Sequence, residues 1–401
     1  MVASKKKTVK KIVRKAAPKT RKPVSAPKKK TGKTVKKNTV KKTSVKRAAK
    51  KIVLSHKRIQ KKETKRPLTA LDLKRFAGNP IVRPTESVAW KSKATFNPTA
   101  LLHEGKVHLV YRAVGDSDVS VLGYGQSNDG YHFRETSSYP IYSHGREPQF
   151  GSPLEPILYS SGGGWSGGCE DPRLTKIGER VYMTYTAFDG WGSVRVAMTS
   201  ISLEDFIANR WNWRKPTLIS PKGEIHKNWV LFPEKINGKY ALLHGLSPHI
   251  LIDYFDTLEE LENGAHVWSV HQDSPAWKLR DRLIRGVGPS PIKTKYGWLV
   301  LYHGMEAHET NRYKLFAMIL DLKDPSIVLH RSRQPVLAPD ASYENEGFKS
   351  GVIYCCGGVV KDGKLLVYYG GGDTVSAVAE ADFDLFLKEL ITKGISTVKK
   401  R

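Results

Sequence analysis

The chain has 401 residues, with 67 lysines and arginines against 38 acidic residues and a formal net charge of +29. Three cysteines (Cys169, Cys355, Cys356) make no disulfide framework, no Cys/His spacing suggests zinc, and no apolar run approaches the roughly 20 residues of a membrane span. A disulfide-stapled scaffold, a structural zinc protein and a helical membrane protein are therefore excluded, leaving a globular protein of a reducing compartment with no metal expected.

The excess charge lies at one end. Residues 1–66 hold 28 lysines and arginines against one acid, Glu63, and contain no Phe, Trp or Tyr. The remaining 335 residues hold 39 basic and 37 acidic side chains and are nearly neutral. A segment like 1–66 cannot bury enough apolar surface to offset its ordering entropy, so it reads as a disordered Lys-rich tail. Ile52, Val53 and Ile59 allow a transient helix near 45–60. Its composition suits nucleic acid or another polyanion, bound by counterion release, and the lack of aromatics makes such binding indifferent to sequence. A solvated leader without a partner is the plainer alternative. The tail has no apolar run of signal-peptide length, and lysine dominates without an amphipathic arginine face, so the expected location is cytoplasmic.

After residue 90 one pattern recurs: an alternating strand, a glycine turn, a second strand ending in an aromatic, and often a third strand. The copies run Ala100–Arg112 around Gly105, Leu174–Tyr185 around Gly178, Lys235–His244 around Gly238, Ile292–His303 around Gly297, and Val359–Tyr369 around Gly363. The turn glycines stand 73, 60, 59 and 66 positions apart. Near-regular units of this kind, with little helix between them, predict an all-β protein built by radial repetition, a five-bladed β-propeller over residues 67–401. A β-sandwich is the competing architecture. One short C-terminal helix is expected from Asp382 to Lys393, with Phe383, Phe386, Leu387, Leu390 and Ile391 on its apolar face and Gly394 ending it.

Between the first two copies lies a glycine-rich run (Gly162–Gly164, Trp165, Gly167, Gly168), followed by Cys169-Glu170-Asp171-Pro172-Arg173. The glycines read as a loop, which places two adjacent carboxylates at the mouth of a sheet. A plainer reading has Asp171 capping a turn and Glu170 paired with Arg173. In a propeller the residues ending each second strand converge on one funnel. That expectation gathers Arg112, the end of the second copy, His244, His303 and Asp373 as polar groups suited to a ligand.

Glu170-Asp171-Pro172-Arg173, Lys227-Asn228-Trp-Val-Leu-Phe-Pro-Glu234-Lys235, Gly297-Trp-Leu-Val-Leu-Tyr-His303-Gly304 and Tyr368-Tyr369-Gly370 with Asp373-Thr374 together resemble glycoside hydrolase family 130. This is the family of mannoside phosphorylases and related mannosidases, and the resemblance spans about residues 79–390. It implies a five-bladed propeller and inverting cleavage of a β-mannosidic bond. Asp171 would be the general acid, with Asn97 and Asp373 on the mannosyl hydroxyls and Arg112, Glu170, Arg173 and His303 also around the sugar. Arg195, Lys227, Asn228 and His244 are the implied phosphate site, and inorganic phosphate the co-substrate with no other cofactor. A β-mannoside oligosaccharide is the implied partner, and α-mannose 1-phosphate the product.

Two physical expectations accompany these roles. Glu170 should raise the proton affinity of Asp171 by like-charge repulsion, as a general acid requires. Lys227 either holds phosphate or pairs with an acid such as Glu234 and fixes a loop. Phosphorylases of the family often carry an arginine after the histidine matching His244, where this chain has Gly245. A hydrolase therefore remains open, which needs a second carboxylate to activate water. A reading from a different class, a polyanion-binding protein with a non-catalytic sugar-binding propeller, is disfavoured by an acid set beside cations.

Overall fold

The computed structural model describes residues 68–143, 168–188, 194–247, 249–265, 267–269, 282–306 and 309–396. The basic tail, its suggested helix near 45–60 and the glycine run as far as Gly167 lie outside these residues. Within them the chain forms five antiparallel blades. Blade 1 comprises Ala94–His103, Lys106–Val114, Ser120–Ser127 and Arg134–Glu135, and blade 2 comprises Gly168–Ile177, Arg180–Phe188, Val194–Ser202 and Thr217–Leu218. Blade 3 is the smallest, with Val230–Leu231, Tyr240–Gly245 and Leu251–Phe255. Blade 4 holds Arg282–Val287, Ile292–Thr294, Gly297–Glu306, Glu309–Leu320 and Val328–Arg331. Blade 5 holds Ile353–Lys361, Lys364–Gly371 and Val375–Asp382.

The hairpin glycines behave as their spacing predicts. Gly105, Gly178, Gly238, Gly297 and Gly363 all have positive φ, between 55° and 138°, where a side chain would be strained. Strand alternation then does the packing. In blade 2, Val181 and Met183 face blade 1 while Tyr182 faces blade 3; in blade 3, Val230 faces blade 4 while Trp229 and Leu231 face blade 2. The buried side chains fall into one large cluster at every junction: blades 1 and 2, 2 and 3, 3 and 4, 4 and 5, and 5 and 1. Each fully buried Leu, Val, Phe or Met there contributes about 1.5–3 kcal/mol. Apolar cores between successive sheets, with the last returning to the first, define the ring of a propeller rather than the two faces of a sandwich.

Both ends of the described chain help to close that ring. Lys74–Arg75 pairs antiparallel with Ala379–Glu380 at the outer edge of blade 5. Ile395–Ser396 pairs with His330–Arg331 at the edge of blade 4. The expected helix forms at Phe383–Lys393, capped by Asp382, whose Oδ1 accepts the Leu385 N–H at 2.9 Å. Phe386, Leu387 and Leu390 bury its inner face between blades 4 and 5.

No helix of the described residues is long and apolar enough to cross a membrane. Among the described residues no group of three or more His, Cys, Asp or Glu side chains is placed to hold a metal ion.

Candidate active site

The first strand of each blade lines the axis, and a repeated backbone device aims its side chains. The ladder between first and second strands slips at Phe96/Thr99 in blade 1, Glu170/Arg173 in blade 2, Ile284/Gly286 in blade 4 and Cys355/Gly357 in blade 5. A β-bulge of this sort turns one residue out of the ladder. Asn97 and Asp171 occupy turned-out positions with left-handed φ of 48° and 52°, and Asn228, just ahead of the blade 3 strand Val230–Leu231, has a left-handed φ of 66°. Asn and Asp are the non-glycine residues best suited to that region. A proline follows Asn97 and Asp171, where a ladder donor is not needed.

The bulges converge on a polar cavity of about 120 Å³ lined by Asn97, Arg112, Glu170, Asp171, Lys227, Arg285, Tyr313, Lys349, Tyr354 and Asp373, among others. Asn97 Nδ2 donates to Asp171 Oδ1 at 2.7 Å, and Arg112 Nη1 reaches the same oxygen at 3.4 Å. Arg112 Nη2 donates to Glu170 Oε1 at 2.9 Å and its Nε to Ser120 Oγ at 2.8 Å, while the guanidinium lies 4.7 Å from the centre of the Phe96 ring. Glu170 is therefore held by Arg112 and not by Arg173. Arg173 is 1% exposed and turns along the axis. It donates to the Asp171 carbonyl at 2.7 Å, the Gly288 carbonyl at 2.9 Å and Asn228 Oδ1 at 2.8 Å. Tyr354 of blade 5 donates to the same Asn228 oxygen at 2.6 Å. Arg173 and Asn228 thus tie blades 2, 3, 4 and 5 together behind the cavity.

This arrangement reverses one expectation. Burial alone would raise the Asp171 carboxyl, but Arg112 and Arg173, the Asn97 amide and Lys227 outweigh it and hold the group below the ordinary carboxylate value of 3.8. Glu170 does not drive Asp171 toward protonation, because Arg112 stands against both carboxylates. The raised group is Asp373, which burial pushes up to about 6 against the pull of Lys349 and Arg112. His303 is pushed down to about 3 by burial, with Arg173 adding to the effect, so its ring is neutral.

The funnel also draws on different residues than strand ends alone suggest. Arg112 and Asp373 line it, as do Asn97, Glu170, Asp171 and Lys227. His303 does not reach the cavity lining; it stacks on Tyr354 with ring centres 4.3 Å apart and accepts the Cys355 N–H at 2.8 Å. His244 packs edge-on against Trp229 at 5.5 Å, with Nε2 3.7 Å from Asp253. Arg195 directs Nε to the Ser220 carbonyl at 2.8 Å, and its Nη2 donates to the same oxygen. The pairing of Lys227 with Glu234 is not the arrangement found, since Glu234 pairs with Lys293.

Arg285, Tyr313, Lys349 and Tyr354 were not singled out from sequence. Arg285 sits at the blade 4 bulge, and its Nε donates to Tyr313 Oη at 3.0 Å. Its signal was positional: it matches Asn97 and Asp171 in the repeat. Taking Ile292 as the start of that repeat hid it, because the first strand of blade 4 is interrupted between Val287 and Ile292. Lys349, whose ammonium lies 5.1 Å from the Tyr313 ring centre, comes from a loop with no repeat signal.

Four cations and three carboxylates share this small space with amide and phenol groups. Together they fit an enzyme site for a hydroxyl-rich substrate and an anion. The fold and the site thus describe a carbohydrate-active enzyme. The family model Glyco_hydro_130, described as beta-1,4-mannooligosaccharide phosphorylase, matches residues 57–390. The chain belongs to glycoside hydrolase family 130, and as such is a glycoside phosphorylase or hydrolase acting on β-mannosides. It is 36% identical over 321 residues to a 1,2-beta-oligomannan phosphorylase of Thermoanaerobacter sp. (strain X514), covering 77% of this chain and 97% of the relative. A beta-1,2-mannobiose phosphorylase of the same organism is 34% identical, covering 77% and 96%. One solved structure is 25% identical with a TM-score of 0.62, covering 77% of this chain and 93% of its own. It is described with the statement that this family of mannoside phosphorylases contains glycoside hydrolases targeting β-1,2-mannosidic linkages in Candida mannan.

Proposed function

We propose that the protein cleaves β-1,2-linked mannosides by phosphorolysis with inversion, releasing α-mannose 1-phosphate. The observation that carries this reading is the placement of Lys227, Arg285 and Lys349 in the same cavity as Asp171. A phosphate dianion needs fixed cations, each charge-assisted contact being worth about 1.5–3 kcal/mol. Arg112 is already engaged with Glu170 and Asp171. The β-1,2 linkage is supported by the activities named for the two relatives above.

In this mechanism Asn97 and Asp373 hold the mannosyl hydroxyls, and Asp171 delivers a proton to the departing oxygen. The carbon–oxygen bond to the leaving sugar breaks as one to a phosphate oxygen forms on the opposite face. Asp171 is ionised in the ligand-free site, and phosphate supplies what it lacks. Its negative charge offsets the cations that depress the carboxyl, and hydrogen phosphate carries one proton that its sugar ester no longer holds. That proton balances the one placed on the leaving alcohol, so turnover takes none from solvent. The site proposed here for phosphate moves from Arg195, Asn228 and His244 toward Arg285 and Lys349, with Lys227 retained.

The test is incubation of the purified protein with β-1,2-mannobiose with and without phosphate. Saturable phosphate dependence and α-mannose 1-phosphate as product are expected. Free mannose released at an equal rate in phosphate-free buffer decides for hydrolysis.

Residues 1–66 are proposed as a separate basic unit that binds polyanions without regard to sequence. The charge contrast with residues 67–401 supports this. Deleting 1–66 should remove salt-sensitive DNA binding and leave mannoside turnover unchanged. Equal DNA affinity of the truncated and full-length proteins at low salt refutes it.

A further inference from the structure

Lys349 reaches the cavity from the loop 346–351, between the short helix Ser342–Asn345 and the first strand of blade 5. Glu344 stands at the start of that loop and closes it. Its carbonyl accepts the Gly351 N–H at 2.9 Å and the Val352 N–H at 3.3 Å. Its side chain is fully buried, and the carboxylate takes five hydrogen bonds. Oε2 accepts the N–H groups of Asp340 at 2.7 Å and Ala341 at 3.0 Å, and Oε1 the Tyr369 hydroxyl at 2.8 Å. The other two come from Arg75, whose Nε meets Oε1 at 2.7 Å and whose Nη2 meets Oε2 at 2.8 Å. Arg75 belongs to the strap Lys74–Arg75 on the outer edge of blade 5, 269 residues earlier in the chain. The same Nη2 donates to the Ala338 carbonyl at 2.6 Å, ahead of the short helix. Neither Arg75 nor Glu344 lines the cavity.

The far side of the loop is tied to the cavity wall. Lys349 N donates to the Gly372 carbonyl at 2.9 Å, beside Asp373, and Tyr313 N donates to the Gly351 carbonyl at 3.0 Å. The Asp373 turn has its own anchor in blade 1, where Thr95 N donates to the Thr374 carbonyl at 2.9 Å. Arg75 and Glu344 therefore bear on Lys349 more than on Asp373. A buried ion pair is a weak source of net stability, because desolvation offsets most of the Coulombic gain. A bidentate carboxylate with its other lone pairs satisfied does supply a fixed position. Lysine needs such a base, since its four-carbon stem is flexible and each contact of a loosely held ammonium loses more entropy.

We propose that Arg75 and Glu344 are positioning residues for phosphate, acting through Lys349 from outside the cavity. The proposal rests on the phosphorolysis reading above. Its test is titration calorimetry of inorganic phosphate into the full-length wild type, Arg75→Met, Lys349→Ala and the double variant, with thermal melts to establish folding. Arg75→Met leaves Glu344 its other three donors, so the protein should fold. Its phosphate Kd should rise roughly fivefold, because a displaced ammonium loses its aim. In the Lys349→Ala background the same change should alter the Kd by less than about twofold, since the two side chains act as one unit. Where phosphate binds only with mannoside present, the phosphate KM gives the same cycle. In turnover of β-1,2-mannobiose, Arg75→Met should raise the phosphate KM and leave the mannobiose KM within about twofold. Arg75→Lys keeps the charge and should recover part of the phosphate affinity. If Arg75→Met does not fold, Arg75→Lys carries the cycle with a rise of about twofold. An unchanged phosphate Kd in the folded Arg75 variants, wild-type affinity in Lys349→Ala, a full effect of Arg75→Met without Lys349, or an equal rise in both KM values overturns the positioning role and leaves phosphorolysis standing. A wild-type protein that neither binds nor consumes phosphate overturns the phosphorolysis reading and this one together.

Discussion

Blades 1 and 2 make the same bulge with different chemistry. Phe96-Asn97-Pro98-Thr99 and Glu170-Asp171-Pro172-Arg173 both slip the ladder at the same place, both hold the central residue at φ near 50°, and both continue with proline. The two side chains meet across the funnel, the Asn97 amide donating to the Asp171 carboxylate. Their flanks differ as well. Phe96 offers Arg112 a ring face where Glu170 offers it a carboxylate. Thr99 accepts the neighbouring Leu174 N–H at 3.0 Å, whereas Arg173 reaches across the axis to blades 3 and 4. The backbone device positions a polar group, and the choice of amide or carboxyl decides whether that group can only bind or can also move a proton.

The sharpest way to break this contrast is to make blade 2 resemble blade 1. Asp171→Asn keeps shape and left-handed backbone but has no proton to give. Turnover of an unactivated mannoside should fall by about 10²–10⁴-fold, with the protein still folded at assay temperature though its melting temperature drops as the carboxylate's contacts to Arg112 and Asn97 weaken. Initial rates close to wild type would remove Asp171 from the mechanism.

A second change attacks the arginine shared by the two bulges. Arg112→Met leaves the Phe96 contact largely apolar but strips Glu170, 4% exposed, of its guanidinium. Loss of one partner of a buried pair should cost about 3–5 kcal/mol in denaturant unfolding. Adding Glu170→Gln should recover part of it, and the absence of any recovery would show that the pair is not the source.

The smallest effect comes from the reverse conversion. Asn97→Asp replaces a donor to Asp171 with a like charge, so the Asp171 carboxyl should rise from its depressed position. With Asp171 as the proposed general acid, the alkaline limb of the pH–rate profile should move to higher pH, by about one unit. A shift to lower pH would contradict the electrostatics described here.

Much of the ring was legible in sequence because its signals are local. Five turn glycines and period-2 alternation do not depend on distant partners, and the C-terminal helix announced its own apolar face and its stop at Gly394. The Glu-Asp-Pro-Arg stretch stood out for the same reason. What sequence could not resolve was direction. Whether Arg173 faces a sugar or ties the axis depends on carbonyls 115 residues away, such as that of Gly288. His303 ends its strand as the pattern requires, yet stacks within the protein on Tyr354. The sign of the Asp171 shift was missed because Glu170, adjacent in sequence, is neutralised by Arg112, 58 residues distant. Arg285 shows the opposite failure: its signal was present in the repeat but displaced by an interrupted strand.

The pairing of Lys74 with Glu380 joins strands separated by most of the described chain. On a ribosome adding residues in order, the first of these strands emerges with its partner still unmade. Blades 1 to 4 must assemble as an open arc, with one apolar flank of blade 1 waiting for blade 5. Such long-range closure slows folding and exposes sheet surface to wrong partners in the interval. A stalled or truncated chain ending before residue 375 would lack the strand that receives Lys74–Arg75, and it would present that unclosed flank to other chains instead.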